Sequence, residues 1–164
     1  LKDRDEAVIW RGPRKIRAIQ QFFSETAWGR LDYLIIDSPP GTGDEPMAVL
    51  STVDDVKPIA VTSGSRLSTG DVAKSLNFVR VMGREPFGLI DNQSWYVCPK
   101  CGEETDLYDR KASQALADEY NVPLLASLPM DLAAARAAEE GRPLVWSRPE
   151  HPFSVMVKAL AEKL

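Results

Sequence analysis

Two short stretches hold residue types whose spacing points to chemistry. The first, LDYLIIDSPPGTGD (Leu31 to Asp44), runs an apolar segment into Asp37 and then into a turn of Pro39, Pro40, Gly41, Thr42, Gly43 and Asp44. A carboxylate at the end of an apolar strand suits the water shell of Mg²⁺, and Gly41, shortly after it, can turn its amide toward a terminal phosphate. The same letters also describe a Pro-Gly turn edged by solvated carboxylates, and for an arbitrary DxPPG neither reading outweighs the other. The second stretch, VCPKCG (Val97 to Gly102), contains both cysteines of the chain, Cys98 and Cys101. Thiolates at this spacing can share one metal, but a closed tetrahedral centre takes four ligands. Nearby carboxylates could contribute, as in principle could His151, the one histidine, which is distant in sequence and flanked by Pro152. A twofold dimer completes the count more simply, because an isologous interface sets the same loop of each subunit face to face and yields four cysteines. From spacing alone zinc is favoured, although the ligand set suits an iron–sulfur cluster as well. A thioredoxin-type redox pair is disfavoured, because this CxxC follows no strand-to-helix turn.

The elements that must position these residues alternate between strand and helix. Pro13 opens a helix whose Ile16, Ile19, Phe22 and Phe23 share a face and which ends near Trp28 and Gly29. Tyr33 to Asp37 is short, continuously apolar and ends in a carboxylate, as expected of a strand buried on both faces of a parallel sheet. Ile59 to Thr62 and Phe87 to Ile90 repeat the pattern, joined by a crossover helix, Ser68 to Met82, with a stripe of Val72, Leu76, Val79 and Met82 closed by Gly83. Further on come a helix over Lys111 to Tyr120, a strand over Pro123 to Ala126, a helix over Leu132 to Glu140 stopped by Gly141, and a last helix over Phe153 to Lys163. The expected fold is α/β: a doubly wound, mostly parallel sheet with helices on both faces. Ligands of such sheets bind beyond the carboxyl ends of the strands. Both the Asp37 turn and the residues after Ile90 and Ala126 stand there.

Composition narrows the partners. The chain has 164 residues, 44% hydrophobic and 27% charged, the size and balance of one globular domain, taken as 1–164 with the CxxC loop at 94–104. A net charge of −4 supplies no basic field for nucleic acid or anionic lipid. No run approaches the roughly 18 apolar residues of a membrane span, and no secretory leader opens the chain, so a cytoplasmic location is expected. The chain begins at Leu1 in the charged stretch KDRDE and reads as a piece of a longer protein.

The wider string W-x-x-L-D-Y-L-I-I-D-x-P-P-G-T-G-D, Trp28 to Asp44, resembles the signature of the Mrp family of P-loop ATPases. This family includes ApbC and the eukaryotic cytosolic nucleotide-binding proteins, within the MinD-like, deviant Walker A class. The similarity extends from IWRGP (Ile9 to Pro13) to the C-terminus. It implies an ATP-dependent carrier of iron–sulfur clusters, in which Asp37 is the Walker B aspartate for Mg²⁺ and Gly41 the switch glycine sensing the γ-phosphate, with Asp44 closing the same turn. It also implies a 4Fe-4S cluster bridging a homodimer through Cys98 and Cys101, for delivery to apo iron–sulfur proteins, with zinc as the alternative occupant. GLIDNQS (Gly88 to Ser94) stands where the family has a GVVENMS-like segment, so Asn92 matches an adenine-reading asparagine. SLPMD (Ser127 to Asp131) resembles an IPxD stretch in which Pro129 and Asp131 flank the adenine; without the resemblance, Asp131 is a helix N-cap and Asn92 a turn residue. VTSGS (Val61 to Ser65) departs from a TTPQ-like segment, and Ser38 stands where leucine is frequent.

No GxxxxGK[ST] loop occurs in these 164 residues, so the chain alone is expected not to hydrolyse ATP and to lack the strand beside Tyr33 to Asp37. Two rivals remain: a zinc-stabilised dimerisation or scaffold module, and a MinD- or ParA-like partitioning ATPase. The CxxC argues against the second. Lesser features are Trp95 and Tyr96 beside the cysteines, suited to a dimer interface or to ordinary packing, and Arg66, which could approach a phosphate.

Overall fold

The computed structural model describes residues 10–164; Ile9 and the KDRDE stretch lie outside the described residues. The elements in chain order are α1 (Gly12–Glu25), α2 (Asp44–Thr52), β1 (Ile59–Thr62), α3 (Arg66–Val81), β2 (Gly88–Asp91), β3 (Trp95–Val97), β4 (Glu104–Asp106), α4 (Arg110–Glu119), β5 (Leu124–Ser127), α5 (Leu132–Glu139), α6 (Leu144–Ser147) and α7 (Pro152–Ala161). The α/β class and the parallel sheet are as expected. Strands β1, β2 and β5 form a parallel sheet in the order β1-β2-β5, and β3 and β4 form a separate antiparallel ribbon. In register, Thr62 lies beside Asp91, and Asp91 beside Ser127, so the three strands end together.

The core forms where α3 and α4 cover one face of the sheet. Leu76 of α3, Leu116 and Ala117 of α4, Leu89 of β2 and Val122 cluster there, with Val72, Ala60 and Leu124 packed against them. Leu89 is the register partner of both Ala60 and Leu124, and side chains in register share a face, which is why one residue from each strand enters this cluster. Leu76 and Leu89 are 1% and 0% exposed, so each contributes about 1.5–3 kcal/mol of apolar burial. Helix α3 begins where the Ser65 hydroxyl accepts a hydrogen bond from Ser68 N at 3.2 Å. It ends at Gly83, φ +73°, where Arg84 N donates to Val79 O and Gly83 N to Arg80 O, satisfying carbonyls the helix leaves open.

Two sequence expectations need correction. Tyr33 to Asp37 is not a buried strand: it joins no sheet, and Tyr33 and Ile35 are 76% and 89% exposed. An apolar run enters a parallel sheet only when a neighbouring strand pairs its amides and carbonyls, and the described strands offer none here. Helix α1 stops at Glu25, ahead of Trp28 and Gly29. Within 94–104 the cysteines lie on a turn flanked by the short strands β3 and β4, and these strands, α2 and α6 are elements the periodicity did not announce, α6 being only four residues long. The remaining elements stand within a few residues of their expected limits.

Candidate functional site

The β3-β4 hairpin carries the cysteines at its tip. Cys98 N donates to Glu103 O at 2.9 Å and Gly102 N to Cys98 O at 2.8 Å, closing a turn in which Gly102 takes φ +76°. That left-handed conformation favours glycine, so the glycine after CPKC is part of how the turn is built. Both thiols are free, Cys98 half-buried and Cys101 exposed. The neighbouring backbone N–H groups of Cys101 and Lys100, with the Cys101 side chain, favour the Cys98 thiolate and shift its thiol below the ordinary value. Among the described residues no group of three or more His, Cys, Asp or Glu could hold a metal ion. The described residues therefore offer two closely spaced thiol donors at this tip. His151 does not complete the set: its Nδ1 caps α7 by accepting from Phe153 N, and its Nε2 lies 3.9 Å from Asp131 Oδ2.

The residues after β2 and β5 are brought side by side. Leu128 N donates to Asp91 O at 2.8 Å, Ser94 N to Leu128 O at 3.0 Å and Met130 N to Trp95 O at 2.7 Å. The two stretches read as base contacts, Asn92 on one and Pro129 with Asp131 on the other, thus run parallel beyond the sheet. Asn92 Oδ1 accepts from Gln93 N at 3.1 Å, Pro129 is buried, and Asp131 Oδ1 caps α5 by accepting from Ala134 N at 2.8 Å. The capping role that the sequence allowed for Asp131 is present, and it leaves Oδ2 outside the cap.

The Asp37 turn is exposed through Thr42, and Gly41 takes φ +93° with open space where a Cβ would stand. The requirement for glycine is therefore conformational rather than steric. Pro40, Gly41 and Thr42 line an open cleft of about 290 Å³ with Asp71 and Lys74 of α3. Lys74, paired with Asp71 at 3.0 Å, is a cation facing this turn that the sequence did not single out. Asp44 is placed differently from the turn: it is the first residue of α2, where its charge suits the helix N-terminus, and its carboxylate lies against Gly12 with no room for a side chain there. Beside it Glu45 binds Lys15 at 2.7 Å, lowering the Glu45 carboxyl and raising the Lys15 ammonium from their ordinary values.

One further residue escaped sequence reasoning. Asp91, at the carboxyl end of the central strand, is 1% exposed, and its Oδ1 has no hydrogen-bond partner. Its only advance signal was a charge at the end of a strand.

A parallel β1-β2-β5 sheet with its candidate residues beyond the strand ends is the frame of a MinD-like P-loop NTPase. The Pyrococcus horikoshii septum site-determining protein MinD complexed with Mg-ADP superposes with a TM-score of 0.65 at 24% identity, over 96% of this chain and 60% of that one. The Archaeoglobus fulgidus nucleotide-binding protein in complex with ADP gives a TM-score of 0.68 at 30% identity, over 77% and 52%. The family profile described as ParA, NUBPL iron-transfer P-loop NTPase, matches residues 1–164, and the chain belongs to that family. It is 41% identical over 167 residues to the bovine cytosolic Fe-S cluster assembly factor NUBP2, covering 100% of this chain and 62% of that protein. It is 38% identical to the iron-sulfur cluster carrier protein of Methanocaldococcus jannaschii, covering 100% of this chain and 58% of that one. The chain thus spans less than two thirds of the length of these relatives. Among the described residues no helix is long and apolar enough to cross a membrane.

Proposed function

We propose that this chain is the cluster-holding part of a cytoplasmic, ATP-dependent iron–sulfur carrier, with a 4Fe-4S cluster as its cargo. The observation that carries the reading is the placement of Cys98 and Cys101 at the tip of an antiparallel hairpin, accessible and without further ligands among the described residues. Two such tips, one from each copy in a homodimer, supply the four thiolates that a 4Fe-4S cluster takes. The depressed Cys98 thiol favours the thiolate that binds metal. A cluster held at an exposed tip can be handed to an apoprotein without unfolding either partner.

ATP and Mg²⁺ belong to the same reading. Asp37 would order the Mg²⁺ water shell, Gly41 would report the γ-phosphate, and Asn92, Pro129 and Asp131 would meet the adenine. Asp44, which opens α2 at the end of the same turn, would belong to the catalytic set with Asp37 and Gly41. With no GxxxxGK[ST] loop in its sequence, the 164-residue chain alone is expected to release no phosphate from ATP above background. Measurable hydrolysis would contradict this assignment of the phosphate-binding role.

The test of the carrier reading is anaerobic reconstitution with iron and sulfide, followed by an absorption spectrum and metal analysis. About two irons per chain with a broad visible band is the expected result. Zinc at about half an atom per chain, unchanged by reconstitution, would sink the reading in favour of a zinc-bridged scaffold.

A further inference from the structure

The cysteine hairpin is short: β3 and β4 pair over Trp95 with Asp106, Tyr96 with Thr105 and Val97 with Glu104, and all of β4 is exposed. A ribbon of this length is at best marginally stable by itself. One side chain reaches both of its strands. Arg110, the first residue of α4, donates through Nε to the Asp106 carboxylate and through Nη2 to Glu104 Oε2 at 3.2 Å, and its guanidinium lies 4.8 Å over the Trp95 ring. The geometry is self-consistent. Glu104 and Asp106 are two apart on one strand and share a face, and Trp95 is the register partner of Asp106. Without Arg110, two carboxylates would face each other near the base of the loop that carries the thiols.

We propose that Arg110 is a positioning residue for the Cys98–Cys101 loop. It fixes the hairpin to α4 and thereby sets the direction in which the two thiols are presented to a second copy of this chain. The other edge of β3 is tied by Met130 N donating to Trp95 O and by the parallel bridge between Tyr96 and Met130. The hairpin is thus gripped on both flanks, and on the α4 flank Arg110 grips it through the Glu104 and Asp106 carboxylates of β4 and the Trp95 ring of β3. An exposed charge network adds little to global stability, so its loss should loosen the hairpin without unfolding the domain. The proposal rests on the cysteines holding a metal centre between two copies, but its geometric content is separable from that.

The experiment compares the 164-residue chain with Arg110→Gln, Arg110→Glu and the exchanged pair Arg110→Glu/Asp106→Arg. Amide hydrogen exchange over residues 95–106 and thiol alkylation rates are measured on metal-free protein, and the half-time of iron removal by a chelator is measured on reconstituted protein. Arg110→Glu should speed exchange in the hairpin roughly fivefold and shorten the chelation half-time by a similar factor, with exchange elsewhere unchanged. Arg110→Gln should give a smaller change in the same direction, and the exchanged pair should recover most of the loss. Unaltered exchange in Arg110→Glu, or failure of the exchanged pair to recover it, would overturn the proposal. If wild-type protein takes up no iron, the carrier reading fails, and hydrogen exchange alone still decides the role of Arg110.

Discussion

Cys98 and Cys101 share a motif but not an environment. The backbone N–H groups of Cys101 and Lys100 beside Cys98 favour its thiolate and lower its thiol from the ordinary value of 9.0. In metal-free protein, alkylation of Cys98 should turn on at lower pH than that of an unstructured cysteine, and unfolding in denaturant should move its profile up to the ordinary position; mass mapping of the alkylated peptides checks this. The sign for stability follows from the same shift. A depressed thiol contributes stability above the ordinary value, and this is lost as pH falls through the folded-state value. Replacing either cysteine with serine removes one of only two thiolates, so Cys98→Ser and Cys101→Ser should each abolish iron loading while leaving the far-ultraviolet circular dichroism unchanged. Retained stoichiometric iron in either variant would show that the ligands lie elsewhere.

At the scale of elements, the sheet and the first helix pair lend themselves to separate tests. Gly88 opens β2, and a Cβ there would run into the Leu125 side chain of β5. Gly88→Ala should cost about 1–3 kcal/mol through overpacking, and combining it with Leu125→Ala should cost less than the sum of the two single changes, as read by urea denaturation. Helices α1 and α2 are joined by Lys15 and Glu45 at 2.7 Å. The Glu45 carboxyl is lowered from 4.5, so its contribution is complete above that value and fades as pH falls through the folded-state value. Lys15 is raised from 10.5, so its contribution is complete below that value and fades as pH rises through the folded-state value. Hydrogen exchange in α1 should be slowest, relative to intrinsic rates, between these limits. Lys15→Met should flatten the dependence.

For the molecule as a whole, the carrier reading predicts that assembly follows metal. Metal-free chain should sediment as a monomer and cluster-loaded chain as a dimer, with chelation returning the monomer, because the thiolate ligands are divided between copies. A dimer that persists unchanged after complete metal removal would show that the copies associate through some other surface. The exposed Tyr33, Leu34 and Ile35 bear on the interpretation, since an apolar segment left outside the sheet can promote association independent of the cysteines. Tyr33→Ser/Ile35→Ser should therefore lower concentration-dependent aggregation without changing metal-dependent dimerisation, as separated by sedimentation velocity.

Much of this was legible in the sequence because it is local chemistry. The stripe of Val72 and Leu76 marked α3, Gly83 and Gly141 marked helix ends, and Cys98 with Cys101 marked a closely spaced thiol pair, since each signal depends only on residue type and near spacing. Tyr33 to Asp37 was misread for the complementary reason: an apolar run states a capacity to be buried, whereas a strand needs a partner that pairs its backbone. Asn92, Pro129 and Asp131 were singled out one by one, but their adjacency depends on hydrogen bonds between segments distant in sequence, such as Met130 to Trp95. The same holds for Arg110, an ordinary charge in the sequence that becomes a grip on the hairpin only when α4 starts beside it. The amino-acid sequence by itself determined the fold class, the family signature and the thiol pair, because composition, periodicity and motif spacing carry them. Only the tertiary structure decided which segments pair, which carboxylates are engaged and how the cysteines are held, because those depend on long-range backbone pairing and on which side chains it brings together.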